Sequence, residues 1–297
     1  MLLPDPSIDV HLLGDFLARE FGAADAELTF MPVGGDSWSY RAGPWWVSVR
    51  RDRQGHAPAA YEAARELRDA GYEFVAAPVR GRSGHVVNSV GGHPVVVTEY
   101  VEGRTSFPDG LPGEQLRALA RAVDSLHAAT VKAAVPRETF ALPFLNELDA
   151  AVARALAGEN SVGPLGGEAA VVVRRNTERL AEWRRELASC QAVCRETVRD
   201  FVLTHAEPDP PNVMITGAGR LLLLDWGDLL WAPPERDARA LRSLGIDVGG
   251  RAAVLRFYEL RWILSEVAEY VDRFTVPHTG DAADLDKWRE LRRYLVT

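Results

Sequence analysis

Three polar side chains in the last third of the chain have a spacing that suits phosphoryl transfer to an alcohol. Glu207 precedes Asn212 by five positions within one proline-rich loop, and Asp225 follows the next apolar run. In such a reaction a carboxylate orients the attacking hydroxyl and accepts its proton, while two oxygen ligands hold Mg²⁺ against nucleotide phosphates. The spacing of these groups therefore predicts a site that can activate a hydroxyl and hold Mg²⁺.

The elements around this loop are predicted from the hydrophobic pattern. Short apolar strands are expected at 201–203 and 221–224, and a long helix is expected from Val254 to Phe274. The prolines at 208, 210 and 211 stiffen the loop between the two strands. The candidate site is thus expected to lie between short strands in a mostly helical part of the chain.

The N-terminal third has the pattern of a small sheet. Apolar residues recur with helical period over 9–21 and over 59–70, and the run Trp45–Val49 is typical of a strand. Val75–Val79 is expected to be extended, and Gly91-Gly92 between apolar runs predicts a tight hairpin. These signals predict a twisted antiparallel sheet accompanied by one or two helices.

Length and composition limit the possible classes of protein. The chain has 297 residues, of which 47% are hydrophobic, enough for one large domain or two lobes. A change of composition near Gly103 predicts an N-terminal lobe over 1–102 and a C-terminal lobe over 103–297. The formal net charge of −8 argues against a nucleic-acid partner and is compatible with a cationic ligand.

No basic leader or long apolar run is visible, so we expect a cytoplasmic protein without a membrane partner. Cys190 and Cys194 are expected to be buried structural thiols.

The loop resembles that of the aminoglycoside phosphotransferase family, relatives of the protein kinases, whose catalytic loop runs H-G-D-x-x-x-x-N. The match is His205-Ala-Glu207 followed by Asn212, with Asp225 after the next strand. By position, the resemblance implies that Glu207 is the catalytic carboxylate and that Asn212 and Asp225 are the metal ligands. The resemblance implies that His205 braces the loop and that Asp237, in Pro234-Glu-Arg-Asp, helps to fix it. The segment from Phe257 to Tyr270 is similar to the C-terminal helix of the family's spectinomycin-phosphotransferase-like branch.

The resemblance implies an α+β, two-lobed protein-kinase-like fold with ATP or GTP and Mg²⁺ as cofactors. The residues that it assigns to the nucleotide are a phosphate-covering loop and the backbone that would hydrogen-bond the base: Gly34, Gly35, Asp36 and Ser37 for the first, and Glu99 to Val101 for the second. A plain hairpin turn is an alternative for the glycine pair.

Two departures from the family pattern are visible. The catalytic position holds Glu207 in place of Asp, as in a branch with H-G-E-P-H. Asp209 stands where that branch has His and is the rival candidate for the catalytic carboxylate. The only lysines are Lys132 and Lys287, so the lysine that kinase-like folds carry on the third strand is missing. Arg50 lies on the same side of its strand as Ser48 and is the candidate substitute, with Glu62 or Glu66 as its expected partner.

The acceptor pocket is expected to be acidic and aromatic, which suits a cationic sugar. The candidates are Asp228, Trp231, Trp262, Glu266, Glu269 and Tyr270. Each of these side chains, taken alone, is also compatible with a place in the core or on a solvated helix face.

These features predict transfer of a nucleotide γ-phosphoryl group to a hydroxyl of a small molecule, with an aminoglycoside-like antibiotic as the first candidate. A metabolite kinase of the same fold, acting on choline, homoserine or a sugar derivative, would share every catalytic residue. A non-catalytic binding protein is the third possibility, because the strand lysine is missing and Glu stands at 207.

Overall fold

The computed structural model describes residues 4–24, 26–33, 37–50, 57–105, 110–158 and 162–296. Within these ranges no helix combines the length and the apolarity that crossing a bilayer requires. The described chain contains one larger antiparallel sheet, two small sheets and a set of helices, so the predicted α+β class is confirmed.

A five-stranded antiparallel sheet occupies the N-terminal part. Its strands are β1 (Leu28–Met31), β2 (Ser37–Ala42), β3 (Trp45–Arg50), β4 (Val87–Val90) and β5 (His93–Glu99), and their spatial order is β1-β2-β3-β5-β4. The predicted hairpin is confirmed between β4 and β5, where Gly91 and Gly92 have φ of 58° and 83°. Glycine suits both positions because it alone adopts positive φ without a steric penalty.

The two faces of this sheet differ because side chains alternate along each strand. One face is apolar and packs against helix α1 (Val10–Phe21), which Asp9 caps through its side chain. Its buried residues are Leu13, Phe16 and Leu17 of the helix and Tyr40, Val47, Val49, Val95 and Val97 of the sheet. On the opposite face of β2 and β3, Ser39 lies across from Ser48 and Ser37 lies across from Arg50. The apolar face therefore anchors the sheet, and the polar face is left for other contacts.

Helix α2 (Pro58–Asp69) ends as predicted, with Gly71 at φ 94° just beyond it. Its small buried residues, Ala60, Ala63 and Ala64, join a second core with α3 (Gly113–His127). The segment 75–79, predicted to be extended, forms only isolated bridges to Leu223 and Thr98. It contacts two different sheets, and Pro78 lacks an N–H group, so a continuous ladder cannot form.

Two small sheets hold the predicted loop. Strand β7 (Val202–Thr204) pairs with β10 (Leu230–Ala232), and β8 (Val213–Thr216) pairs with β6 (Gly103–Thr105) and β9 (Leu221–Leu223). Helix α7 (Glu235–Ser243) follows β10. The apolar runs predicted at 201–203 and 221–224 are thus strands, each shifted or shortened by one residue.

The remaining helices are α4 (Leu145–Ala157), α5 (Gly166–Arg175), α6 (Thr177–Thr197), α8 (Ala252–Thr275) and α9 (Ala282–Leu295). Helices α4 and α6 pack against α8, and the rings of Phe140 and Phe257 meet edge to face with centroids 5.5 Å apart. Cys190 and Cys194 are buried free thiols on α6.

Contacts divide the chain into two compact units. A helical unit comprises residues 139–199 and 250–297, and a mixed unit comprises 2–138 and 200–249. The predicted lobe boundary near residue 102 lies inside the mixed unit, so the lobe limits 1–102 and 103–297 remain a prediction.

Candidate active site

The loop that follows β7 is closed by Asn212 itself. Its side-chain amide donates a hydrogen bond to the carbonyl oxygen of Glu207 (3.1 Å), and its backbone N–H donates to the carbonyl oxygen of Asp209 (2.9 Å). Residues 210–212 form one turn of 3₁₀ helix, for which the two prolines provide suitable φ angles. The spacing of five between Glu207 and Asn212 therefore corresponds to a compact loop, and the Oδ1 atom of Asn212 is an oxygen of the kind that binds Mg²⁺.

Asp225 is brought to this loop by the backbone. The N–H of Leu224 donates to the carbonyl oxygen of Asn212 (2.8 Å), so the residue before Asp225 is bonded to the loop's last residue. Asp225 is exposed and has φ of 56°, a conformation that costs a residue with a Cβ atom about 1 kcal/mol or more. Strain of this kind is typical of residues whose side-chain direction matters for function.

Four carboxyl groups lie near one another at this place. Burial first, and then the charges of Asp209, Asp228 and Asp225, raise the pKa of Glu207 to about 8, against the opposing charge of Arg239. Burial also raises the pKa of Asp209 to about 6, while Arg239 acts in the opposite direction. Such a concentration of acids is stabilised by a cation.

A magnesium ion would fit the amide oxygen of Asn212 and the carboxylate of Asp225, since both are hard oxygen ligands. Among the residues that the structure describes, no group of three or more His, Cys, Asp or Glu side chains is arranged around a common metal position.

His205 and Asp237 hold the start of the loop. The fully buried Asp237 accepts hydrogen bonds from the backbone N–H of His205 (3.1 Å) and of Ala206 (2.7 Å), and His127 contacts the same carboxylate (2.9 Å). His205 donates from Nε2 to the carbonyl oxygen of Leu224 (2.8 Å). Burial lowers the pKa of His205 and so disfavours the charged form of its ring, against the charges of Asp237 and Asp225. This geometry is that of a brace between loop and strand.

Burial alone would raise the pKa of Asp237, but the contact with His127 and the other hydrogen bonds outweigh it and lower that pKa.

Helix α7 contributes two more side chains that the loop motif does not reveal. Arg236 donates to Thr204 Oγ1 (3.0 Å) and to the carbonyl oxygen of Asp228 (2.9 Å), and Arg239 lies beside Asp209. In the sequence, the one indication of this pair was that Arg236 and Arg239 lie three residues apart and so share a face of α7.

The predicted nucleotide residues are only partly within the described ranges. Gly34, Gly35 and Asp36 lie outside them, and Ser37 begins β2 with its hydroxyl 3.3 Å from that of Ser39. Arg50 ends β3 on the polar face of the sheet and is 5% exposed. Glu99 ends β5, and the N–H of the next residue, Tyr100, donates to the carbonyl oxygen of Pro44 (2.7 Å) before Val101.

The expected partners of Arg50 are engaged elsewhere, which corrects that prediction. Glu62 forms an ion pair with Arg80 (2.6 Å), and Glu66 accepts a hydrogen bond from the backbone N–H of Lys132 (2.6 Å). Arg80 follows the bridge segment 75–79, so the fold places a different arginine within reach of α2. The positions of β3 and α2 in the sequence do not show which arginine the fold brings to Glu62.

The candidate acceptor residues fall into two groups. Asp228 is exposed in the mixed unit, and Trp231, on β10, packs against that unit's hydrophobic core. Trp262, Glu266 and Tyr270 lie at intervals of four on α8 in the helical unit, so they share one face of the helix.

This face of α8 is a hydrogen-bonded cluster. The hydroxyl of Tyr270 donates to Glu266, and Trp262 Nε1 donates to the hydroxyl of Tyr294 on α9 (3.1 Å). Burial, together with the charges of Glu269 and Glu290, raises the pKa of Glu266 against the opposing hydrogen bond from Tyr270. An acidic group among aromatic rings is an arrangement that binds cations.

The fold and the loop define a protein-kinase-like phosphotransferase. The chain belongs to the phosphotransferase enzyme family (APH), whose model matches residues 39–276, and the resemblance stated from the sequence is confirmed. It is 46% identical to Protein StrN of Streptomyces griseus over 288 residues, which cover 93% of this chain and 90% of that protein.

Solved structures have the same fold at low sequence identity. A spectinomycin phosphotransferase in complex with ADP and spectinomycin superposes with a TM-score of 0.78 at 14% identity, covering 97% of this chain and 95% of that one. A microcompartment-associated aminopropanol kinase superposes with a TM-score of 0.63 at 17% identity, covering 96% and 94% of the two chains. The two-lobed kinase-like class is thus confirmed.

Proposed function

We propose that this protein is a magnesium-dependent kinase that transfers the γ-phosphoryl group of ATP or GTP to a hydroxyl group of a small cationic molecule. An aminoglycoside-like antibiotic is the leading acceptor. The observation that carries the proposal is the bonding of Asn212, which joins the carbonyl of Glu207 on one side to the residue before Asp225 on the other. This bonding supports a single site for the proposed base and the two proposed metal ligands.

Glu207 is the group that orients the acceptor hydroxyl and takes its proton. As the acceptor oxygen bonds to the γ-phosphorus, the bond from that phosphorus to the bridging oxygen breaks and the nucleoside diphosphate leaves. A carboxylate whose pKa is raised to about 8 is a stronger base than an ordinary one and is suited to this role near neutral pH. Asn212 and Asp225 would hold Mg²⁺, which when bound neutralises charge on the phosphates.

The nucleotide is proposed to lie under the polar face of β2 and β3. Arg50 would contact phosphate oxygens there in place of the missing lysine, because a guanidinium forms paired charge-assisted hydrogen bonds with phosphate. The backbone of Glu99 and Val101 is proposed to hydrogen-bond the base, and the loop at 34–37 to cover the phosphates. The ADP bound to the structurally similar spectinomycin phosphotransferase supports a nucleotide donor.

The acceptor is proposed to be cationic because of the side chains on α8. Glu266, beside Trp262 and Tyr270, offers a carboxyl group and an indole ring to an ammonium group, and the Tyr270 ring already lies 5.1 Å from the Nζ atom of Lys287. In the mixed unit, Asp228 is an exposed acid whose charge acts on Glu207, and it is proposed as a separate acceptor contact. The spectinomycin bound to the same structural neighbour supports an antibiotic acceptor. We place the activity in the cytoplasm, where the donor is made.

A metabolite kinase is the second candidate, favoured by the similarity in fold to an aminopropanol kinase. Both candidate functions would use the same catalytic loop of this chain, so only the identity of the acceptor separates them. A non-catalytic binding protein is the third, and it predicts that MgATP leaves the thermal unfolding midpoint unchanged.

The experiment is a mass-spectrometric screen of the purified protein with ATP, MgCl₂ and a panel of hydroxylated antibiotics and amino alcohols. We expect one acceptor to gain a single phosphoryl group. With that acceptor, Glu207→Gln should lower kcat by about 10³-fold and Asp225→Asn by at least as much. Glu196→Gln, which changes an exposed acid on α6, is the matched control and should keep the parent rate. Full activity of Glu207→Gln would show that another group is the base.

A further inference from the structure

Helix α7 contacts the candidate catalytic loop through three charged side chains within four residues. Asp237 binds the backbone N–H groups of residues 205 and 206, and Arg236 binds Thr204 and the carbonyl of Asp228. Arg239 reaches Asp209, with its Nη2 atom 3.9 Å from Oδ2. The helix therefore fixes the loop at its beginning and in its middle.

Arg239 and Asp209 form a partly buried pair. Their side chains are 15% and 18% exposed, so their attraction is screened less than that of a surface pair. The separation of 3.9 Å indicates an attraction between charges and not a tight hydrogen bond. Arg239 is also the cation that acts on the neighbouring Glu207. One arginine thus serves both acids of the loop.

Glu207 and Asp209 compete for the same role by position. They are separated by Pro208, and the backbone at Asp209 is extended, with φ −121° and ψ 171°. The two acids are therefore close neighbours in one loop. The ion pair of Asp209 with Arg239 on α7, at 3.9 Å, is the contact that sets Asp209 apart from Glu207.

We propose that Arg239 is a positioning residue: it holds the Asp209 carboxylate towards α7 and leaves Glu207 as the carboxylate that faces the acceptor hydroxyl. This inference rests on the proposed kinase function. Without Arg239, the Asp209 carboxylate loses its cation beside a second acid, and it turns towards the space where phosphates and metal are bound. Removing the charge of Asp209 should then relieve much of that defect.

The test uses the full chain with Arg239→Ala, Arg239→Lys, Asp209→Asn and the double variant Asp209→Asn/Arg239→Ala. ADP release from ATP in excess MgCl₂, with water as the acceptor, is followed, and thermal unfolding midpoints are measured for each protein. Arg242→Ala, an exposed position on the same helix, is the matched control and should behave as the parent.

We expect Arg239→Ala to lower kcat by about 10- to 100-fold with little change in KM for ATP, and Asp209→Asn to lower it by about two- to fivefold. The double variant should recover about tenfold over Arg239→Ala, since coupled residues are not additive. Arg239→Lys should lie between parent and Arg239→Ala. The effects of the two substitutions on the unfolding midpoint should also be non-additive, and this measurement does not depend on turnover.

Each other outcome overturns the proposal. Loss of all turnover in Asp209→Asn would make Asp209 the base. A double variant as inactive as Arg239→Ala, with a raised KM for ATP, would make Arg239 a phosphate ligand. Additive unfolding midpoints would mean that the pair does not hold Asp209. The unfolding midpoints of the four proteins could be coupled while the parent protein neither binds nor hydrolyses MgATP. That result would exclude the kinase function and the positioning role with it, but the Arg239–Asp209 pair would remain.

Discussion

At the scale of single residues, the titration of the loop carboxyls is set first by their burial and, for Glu207, also by neighbouring acids. Glu207 and Asp209 are partly buried beside other acids, so in the folded protein both hold their protons to higher pH than ordinary carboxyl groups. In the unfolded chain they would titrate near 4.5 and 3.8. The folded state therefore binds more protons between these values and about 8.

It follows that the metal-free protein should lose stability as pH rises from about 5 to about 8. The stability that the protonated Glu207 contributes is fully present below pH 4.5 and is lost as pH passes its folded-state pKa of about 8. Unfolding midpoints in EDTA should fall between pH 6 and pH 8.5, and Glu207→Gln, which mimics the protonated form, should have a smaller fall. Equal slopes for the two proteins would contradict the assigned environment of Glu207.

Ala206 permits a second prediction at this scale. Its φ of 93° is unfavourable for any residue with a Cβ atom, and the family pattern has glycine at this position. Ala206→Gly should raise the unfolding midpoint by about 2 °C, corresponding to about 1 kcal/mol of relieved strain. Ala181→Gly, at an exposed position inside α6, should lower the midpoint by a similar amount. A lower midpoint for Ala206→Gly would mean that the turn is not strained.

Single residues also show what the sequence can and cannot predict. The spacing of Glu207, Asn212 and Asp225 was visible because loop and strand are adjacent in the chain, and the structure joins them by short hydrogen bonds. The pairs Arg239–Asp209 and Arg80–Glu62 were not visible, because each joins segments that only the folded chain brings together. Charge alone does not select one arginine among the many available.

At the scale of elements, α2 is held independently of Arg50. The ion pair of Glu62 with Arg80 and the bond from Lys132 to Glu66 attach this helix to segments other than β3. Helix α1, helix α2 and the β4–β5 hairpin were predicted correctly because each has a local signal, such as the Asp9 cap, Gly71 or the Gly91-Gly92 pair. The segment 75–79 has no such signal, since its partners are distant.

We therefore expect Glu62→Gln to change the dissociation constant of MgATP by less than about threefold, because an ion pair of this exposure contributes at most about 1 kcal/mol. Arg50→Ala should weaken MgATP binding by about tenfold or more, the effect of losing a charge-assisted contact to phosphate. Isothermal titration calorimetry measures both. A loss in Glu62→Gln as large as that in Arg50→Ala would mean that Glu62 does support Arg50 when nucleotide is bound.

At the scale of the whole molecule, the two compact units do not follow the order of the sequence. The composition change near Gly103 was a reasonable signal for a lobe boundary, yet contacts group residues 200–249 with the first 138 residues. The pairing of β6 with β8 and of β7 with β10 depends on partners more than a hundred and about thirty residues apart, respectively. Local patterns do not carry such information.

Separate cores predict separate responses to cavity formation. Leu264→Ala on α8 should cost about 3 kcal/mol and speed amide hydrogen exchange in α4, α6 and α8, with little effect on β3 and β5. Leu13→Ala on α1 is the matched change in the other unit and should speed exchange in the five-stranded sheet. Equal acceleration of both units by either substitution would mean that the chain opens as one cooperative body.

The interrupted helical unit also bears on synthesis. Its first segment ends at residue 199 and its second begins at residue 250, so α4 and α6 leave the ribosome well before α8 exists to cover them. The mixed unit has the same delay, because β6 must wait for β8. A nascent chain shorter than about 250 residues therefore exposes apolar surface from both units. We expect such a chain to bind chaperones that act at the ribosomal exit tunnel.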